Sequence, residues 1–174
     1  RMLEICPDVQ YADVMEQALY NTVLAGMALD GKSFFYVNPL EVLPEACHKD
    51  ERKFHVKPVR QKWFGCACCP PNLARILAES SELSYCRSQD TLWLGLYGAN
   101  KADVQLENDA HFTVEQITDY PYDGTIRFQI HRLNDLPFKI NLRIPKWAVS
   151  GSITSPYTQH QITATDQGTY YTLE

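Results

Sequence analysis

Three of the six cysteines of this 174-residue chain fall within four positions, at Cys66, Cys68 and Cys69, and a double proline follows them. Proline is tolerated in the first turn of a helix, because its missing N–H would have no intrahelical partner there. Residues 72–79 are largely good helix formers. The sequence therefore predicts that Cys68 and Cys69 lie just before a helix N-terminus, where the partial positive charge favours thiolate over thiol.

Thiolate is the form of cysteine that attacks carbon or binds a metal. Adjacent cysteines do not readily form a disulfide with each other, because the small ring strains the S–S geometry. Both can reach one soft metal ion if the peptide between them turns. Their spacing differs from the C-x-x-C of structural zinc sites. The residues alone therefore also allow a second interpretation, in which Cys68 and Cys69 are buried structural thiols.

Composition and charge restrict the classes of partner. With a net charge of −5, the chain has no basic patch that could meet nucleic-acid phosphates. It shows neither a signal peptide nor an apolar run of membrane-spanning length, so no membrane partner is expected. Clustered cysteines are a poor disulfide framework, which favours a reducing compartment and predicts a cytoplasmic protein. Neither end carries a cap or a polar tail, and we expect the chain to be a piece of a larger protein.

The first 30 residues predict helices. Residues 1–6 resemble the last turns of one helix, and residues 10–29 form a second that is apolar nearly all round and is expected to be buried. Glu16 on this helix must be paired or functional, because an unpaired buried charge is costly. A Glu16 that reaches solvent or a structural arginine is the alternative. Asp13 projects differently and is expected to be solvated.

The middle of the chain predicts a change of structure. Residues 33–37 predict a short aromatic strand, on which Tyr36 is either a core residue or points its hydroxyl into a pocket. Residues 41–62 are charged and contain two prolines, which predicts a surface loop. Beyond residue 84 the alternation favours an antiparallel sandwich. Its strands are predicted at residues 92–97, 104–106, 112–118, 125–131, 138–144 and 170–173.

Residues without chemical neighbours in the pattern are given ordinary roles. Cys6 and Cys86 are isolated, which predicts buried small hydrophobic residues. His111, His131 and His160 fall on strands or turns without a carboxylate nearby in the sequence pattern. We therefore expect no functional role for these five side chains.

The segment from Trp63 to Arg75 resembles the signature of glycoside hydrolase family 127, the β-L-arabinofuranosidases. Four other strings match the family in the right order: Tyr11–Asn21, Asp30–Leu40, Thr118–Pro121 and Leu142–Trp147. The resemblance implies an α+β multidomain fragment. Residues 1–82 would form the end of an (α/α)6 catalytic barrel, and residues 83–174 an antiparallel, jelly-roll-like β-sandwich that is incomplete.

The resemblance also implies a chemistry. Cys68 would be the nucleophile of a retaining glycosidase that releases L-arabinofuranose or a related pentose from glycans. A zinc ion would be bound by Cys68 and Cys69, and Glu16 and Tyr36 would contact the sugar. The family's other two zinc ligands and its acid/base glutamate precede Arg1. This chain alone is therefore expected to be inactive and to bind metal weakly.

The resemblance implies a carbohydrate as the partner of this chain. Whether the protein forms a homodimer is left open. The rival function is a non-catalytic carbohydrate-binding or structural module, a β-sandwich with a helical adaptor whose cysteines hold a structural metal. A cysteine-reactive pentofuranose analogue would label a sugar-processing protein and leave a structural site unlabelled.

Overall fold

Helices dominate the N-terminal part of the chain. The structure is a computed structural model that describes residues 2–49, 56–66 and 68–174. The α-helices in these ranges are α1 Met2–Ile5, α2 Val9–Gln17, α3 Pro44–Lys49 and α4 Pro70–Ala78. None of the helices in the described residues is long and apolar enough to cross a membrane. Arg1, with which the predicted first helix begins, lies outside the described residues.

The chain divides into two units that are described separately. Residues 15–80 form the helical unit, and residues 1–14 together with 81–174 form the sandwich unit. The N-terminal helices up to residue 14 thus group with the strands. The division between residues 82 and 83 that the resemblance implies stays a prediction.

The second helix is less regular than its periodicity predicts. α2 ends at Gln17 and continues as a π-helical turn, Ala18–Val23, and a 3₁₀ turn, Leu24–Gly26. The expectation that this helix is buried nearly all round is wrong, because the side chain of Val14 is 65% exposed. Apolar periodicity shows which residues can pack against a neighbour, and it does not ensure that the chain itself supplies one.

The predicted loop at residues 41–62 contains a helix. α3 begins at Pro44, carries Glu45 in its first turn, and has Lys49 in its last turn. The Lys49 ammonium lies 2.9 Å from the Glu45 carboxylate, one turn away. Proline at the start, an acid in the first turn and bases in the last are helix signals. The prediction of a loop did not use these helix signals, because the segment lacks an apolar face.

Strands begin at residue 85, next to the predicted change at residue 84. The strands of the described residues are β1 Tyr85–Ser88, β2 Thr91–Leu94, β3 Asn100–Gln105, β4 His111–Ile117, β5 Arg127–Arg132, β6 Lys139–Ile144, β7 Gly151–Thr154, β8 Gln159–Ile162 and β9 Thr169–Leu173. Each of the six predicted strands overlaps one of these. The hairpin of β7 and β8 was missed because its residues are mostly polar and exposed, so no alternation marks them.

These strands form three sheets. Their orders are β1-β2-β6-β9, β3-β4-β5 and β7-β8. The predicted antiparallel arrangement holds for the pairs of the described strands except one, because β2 and β6 run parallel. A fully buried cluster joins the first two sheets, with Leu92 and Leu94 from one and Phe112 and Val114 from the other. The α+β prediction is thereby confirmed.

A buried ion pair connects α2 to β6 within the sandwich unit. The side chain of Arg143 is 0% exposed, and its Nη1 donates to Asp13 Oδ1 at 2.7 Å. The second carboxylate oxygen of Asp13 accepts the backbone N–H of Lys146 at 3.0 Å. The prediction that Asp13 is solvated is therefore wrong. A buried guanidinium needs a carboxylate, and Asp13 supplies one.

Two of the histidines and one cysteine also differ from expectation. His111 Nε2 lies 2.6 Å from Asp103, and His160 Nε2 lies 3.3 Å from Asp166. These carboxylates are close only after the strands and turns have folded, so they have no signature in the local pattern. Cys86 is buried as predicted, but Cys6 is exposed.

Candidate active site

The predicted helix start after the cysteines is confirmed. α4 begins at Pro70, and Cys69 occupies its N-cap position without a side-chain cap. The backbone carbonyl of Cys69 accepts the N–H of Asn72 at 3.0 Å. Cys66, Cys68 and Cys69 are all free and exposed in this chain, which differs from the interpretation of buried structural thiols. Ala67 between them lies outside the described residues.

Three of the predicted site residues lie together. Cys68 Sγ and Cys69 Sγ are 3.6 Å apart. The hydroxyl of Tyr36 is in direct hydrogen-bond contact with Cys68 Sγ, and it lies 4.0 Å from Cys66 Sγ. A single phenol thus faces two thiols that are separated from it by 30 residues or more of sequence. We refer to Tyr36, Cys66, Cys68 and Cys69 as the thiol cluster.

Tyr36 lies beside the cysteine loop, and its segment is anchored by backbone bridges at Phe34. The predicted strand at residues 33–37 is reduced to single bridges, in which Phe34 pairs with Met27 and with Gln61. Phe34 and Gln61 exchange both backbone hydrogen bonds, at 3.0 and 2.9 Å. Because this bridge is antiparallel, the residues after Phe34 run alongside the residues before Gln61. The contact with the cysteine loop is made by side chains, since the ring of Phe64 packs against Tyr36 with centroids 5.3 Å apart.

Side chains that the sequence did not suggest hold this arrangement in the helical unit. Asn38 Nδ2 donates to the carbonyl of Thr22 at 2.7 Å, within the π-helical turn. The wider π geometry departs from the regular ladder, and this bond satisfies one of its carbonyls. The guanidinium of Arg60 donates to the carbonyl of Ala25 and lies over the ring of Phe35, 4.7 Å from its centroid. None of these roles has a local sequence signal.

The electrostatics of the thiol cluster define the role of its phenol. Hydrogen bonds to Cys68 and then to Cys69 raise the pKa of the Tyr36 hydroxyl above its ordinary range. The phenol therefore keeps its proton and can donate a hydrogen bond to a Cys68 thiolate. A thiolate gains from such a donor because a hydrogen bond to a charged acceptor is stronger than a neutral one.

Glu16 lies apart from these residues in sequence, two residues before the π-helical segment. It is 6% exposed, and its side chain already takes part in an interaction. The expectation that Glu16 is paired or functional is thus consistent with its burial. Its contact with a sugar stays a prediction.

The described residues of this chain do not form a complete metal site. No three His, Cys, Asp or Glu side chains of residues 2–49, 56–66 and 68–174 converge closely enough to hold a metal ion. Cys68 and Cys69 therefore form a pair of donors and not a complete set.

Family comparisons agree with this pairing of a helical segment and a sandwich, and they define an enzyme class. Residues 1–82 match the family model of the GH127 β-L-arabinofuranosidase catalytic domain, and residues 91–174 match that of the GH127 β-L-arabinofuranosidase middle domain. Both models describe parts of carbohydrate-cleaving enzymes. The chain belongs to glycoside hydrolase family 127, the β-L-arabinofuranosidase family.

Individual relatives are consistent with this membership. The chain is 37% identical over 159 residues to the non-reducing end β-L-arabinofuranosidase of Bifidobacterium longum subsp. longum, covering 88% of this chain and 23% of that protein. A crystal structure of a GH127 β-L-arabinofuranosidase from Geobacillus stearothermophilus T6 is 45% identical, with a TM-score of 0.83, over 99% of this chain and 27% of that one. The chain spans about a quarter of the length of these relatives.

Proposed function

We propose that this chain supplies the nucleophilic part of a retaining β-L-arabinofuranosidase, with Cys68 as the nucleophile. The observation that carries the proposal is the contact of the Tyr36 hydroxyl with the exposed Cys68 thiol at the start of α4. A nucleophilic cysteine needs access to substrate and a stabilised thiolate. The exposure of Cys68 gives it access to substrate. A hydrogen bond from Tyr36 and the partial positive charge of the helix N-terminus support the thiolate.

The proposed reaction proceeds in two steps. The thiolate of Cys68 attacks the anomeric carbon, an S–C bond forms, and the bond from that carbon to the leaving oxygen breaks. The leaving oxygen takes a proton from a carboxylic acid outside this chain. Water then gives a proton to the carboxylate left by the first step and attacks the same carbon, the S–C bond breaks, and the Cys68 thiolate is restored. Tyr36 orients the sulfur through both steps.

The pair of thiols fits a zinc ion. Two sulfur ligands at about 2.3 Å from a tetrahedral zinc lie roughly 3.8 Å apart, and Cys68 Sγ and Cys69 Sγ are 3.6 Å apart. Cys68 and Cys69 would hold the ion, together with ligands from outside this chain. When bound, zinc would keep the thiolates deprotonated.

The substrate contacts follow the same proposal. Tyr36 and Glu16 would contact the arabinofuranose, Tyr36 from beside the nucleophile. A glycan that ends in β-L-arabinofuranose is the proposed substrate, and family membership supports this choice. A non-catalytic module with a structural metal is disfavoured, because residues 1–82, which contain these thiols, match a catalytic-domain model.

We test the proposal in the natural full-length protein by replacing each thiol separately. Cys68→Ser should lower turnover of an aryl β-L-arabinofuranoside by orders of magnitude, because a serine hydroxyl is a far poorer nucleophile at neutral pH. Cys66→Ser is the matched control and should keep most activity. Cys69→Ser should lose activity together with bound zinc, measured by elemental analysis.

Labelling assigns the nucleophile directly. A cysteine-reactive L-arabinofuranose analogue should attach to Cys68, as located by peptide mass spectrometry. An adduct on Cys66, or an active Cys68→Ser enzyme, would refute the assignment.

We further propose a cytoplasmic location and leave the homodimer as a prediction. All six cysteines are free and several are exposed, which suits a reducing compartment. Cell fractionation with an antibody to the protein tests the first, and light scattering of the purified protein tests the second.

A further inference from the structure

We propose that the β3-β4-β5 sheet of the sandwich unit carries a binding site for a neutral sugar. At its end lies a cavity of about 550 Å³, within the range of small-molecule sites. Most of the residues that line it have polar side chains. The lining residues that the argument uses are Asn100, Glu115, Gln116, Ile117, Asp119 and Arg127.

Strand register explains why these side chains converge. Glu115 and Ile117 are two residues apart and lie on the same face of β4, and Arg127 of β5 lies directly opposite Ile117. Side chains opposite each other and two positions apart along a strand share a face. Asp119 follows two residues after Ile117, at the same end of the sheet. The half-exposed Ile117, at 41%, thus provides an apolar floor between two carboxylates and a guanidinium.

The rim of the cavity is held before any ligand binds. Thr118 Oγ1 donates to the carbonyl of Thr125 at 2.7 Å, and the Thr125 N–H donates to Asp123 Oδ1 at 2.6 Å. The N–H of Tyr122 donates to the carbonyl of Asp119 at 2.9 Å. A loop that is already ordered lowers the entropic cost of binding.

The inner wall is fixed by a chain of hydrogen bonds. Gln116 Nε2 donates to Tyr85 Oη at 2.9 Å, and Tyr85 Oη donates to Asn100 Oδ1 at 2.7 Å. Gln116 is 1% exposed, and its Oε1 has no partner among the described residues. Gln116 alternates with Glu115 and Ile117, so its side chain lies on the opposite, buried side of β4. There it supports the strand that carries the lining residues.

The charges select the class of ligand. Glu115, Asp119, Asp123 and the guanidinium of Arg127 surround the cavity, and the Lys101 ammonium lies 3.6 Å from the Glu115 carboxylate. The excess of carboxylates over cations disfavours an anion. Hydrogen bonds from Thr125 lower the pKa of Asp123, so it is an ionised acceptor at neutral pH. The described carboxylates do not converge as a metal site would require. A sugar fits, because its hydroxyls can donate to carboxylates and accept from Arg127, while its C–H face covers Ile117.

The test uses the full-length protein with Cys68→Ser, so that the probe is not consumed. A soluble arabinan oligosaccharide is titrated and followed by calorimetry and saturation-transfer NMR. Adding Arg127→Ala or Asp119→Asn should weaken its binding about tenfold each, as expected for loss of one charged hydrogen bond. Gln129→Ala, on the same face of β5 but outside the lining, is the matched control and should bind as before.

Several results would overturn the proposal. These are unchanged binding in both lining variants, absence of any binding, or calcium binding that Asp119→Asn abolishes. A thermal melt of each variant shows whether weaker binding comes from loss of the site or from loss of the fold. Asparagine has nearly the same shape as aspartate, so Asp119→Asn still tests the site if Arg127→Ala does not fold. In the enzyme with Cys68 intact, Arg127→Ala should leave hydrolysis of the aryl arabinofuranoside unchanged. If the protein with Cys68 intact hydrolyses no arabinofuranoside but binds the oligosaccharide, and Arg127→Ala weakens that binding, the proposed function is refuted and this site is supported.

Discussion

The helical unit and the sandwich unit treat the same side chain in opposite ways. Cys86 on β1 is 9% exposed, and its thiol lies 3.7 Å from the carbonyl of Leu3. Cys68 and Cys69 in the helical unit are exposed, and Cys68 faces a phenol. The sandwich unit contains the extended apolar cluster, with Phe112 and Leu94 fully buried. Burial makes a thiol part of the packing, whereas exposure beside a donor makes it available for chemistry.

The largest expected difference is in thiol reactivity. Burial, with a smaller effect from the Glu4 carboxylate, raises the pKa of Cys86 to about 11. At pH 8 only about one in a thousand such thiols is ionised. Iodoacetamide at pH 8 should therefore alkylate Cys68 and Cys69 in zinc-free protein long before Cys86, as followed by peptide mass spectrometry. Cys86 should react after unfolding in urea, and rapid labelling of native Cys86 would contradict the comparison.

The next difference concerns packing. Phe112 is 0% exposed and stacks on Phe138 at 3.9 Å. Phe112→Ala should cost about 3–5 kcal/mol of unfolding free energy, because it leaves a cavity in a fully packed core. The matched change in the helical unit, Phe64→Ala, should cost less and should mainly displace Tyr36. Urea denaturation measures both, and an equal loss would remove the distinction between the units.

A smaller effect is expected for the buried ion pair. Asp13→Ala leaves the guanidinium of Arg143, which is 0% exposed, without this carboxylate. Breaking such a pair costs about 3 kcal/mol. Asp103→Ala, which removes the partly exposed partner of His111, is the control and should cost much less. If the two variants were equally stable in urea, Asp13 would contribute no more than a surface charge.

The smallest effect is expected at an exposed pair. Glu45→Gln on α3 removes the contact with Lys49, in which both side chains are more than three-quarters exposed. Solvent screens such a pair, so the urea midpoint should stay within experimental error. A clear loss of stability would show that α3 depends on this contact.

The predictable features were those with a local signal. The helix after Pro70 and the alternating strands could be found because propensity and period act within a few residues. Asp13 and Arg143 are 130 positions apart, and no local pattern connects them. Tyr36 is a similar case. The residues left its role open, and only the family resemblance suggested it, because Tyr36 meets cysteines that are 30 or more positions away in the sequence.

The parallel pairing of β2 with β6 has a consequence for synthesis on the ribosome. Between these strands the chain makes the whole β3-β4-β5 sheet, so the neighbour of β2 emerges late. Long-range parallel pairing is slow because the intervening loop must close first. We expect the β1–β2 hairpin to present an open edge until Lys139–Ile144 has left the exit tunnel. Hydrogen exchange on stalled nascent chains should show that the β2 amides directed at β6, unlike those paired with β1, are protected only in chains that extend past β6. Protection of these amides in shorter chains would mean that another segment covers that edge first.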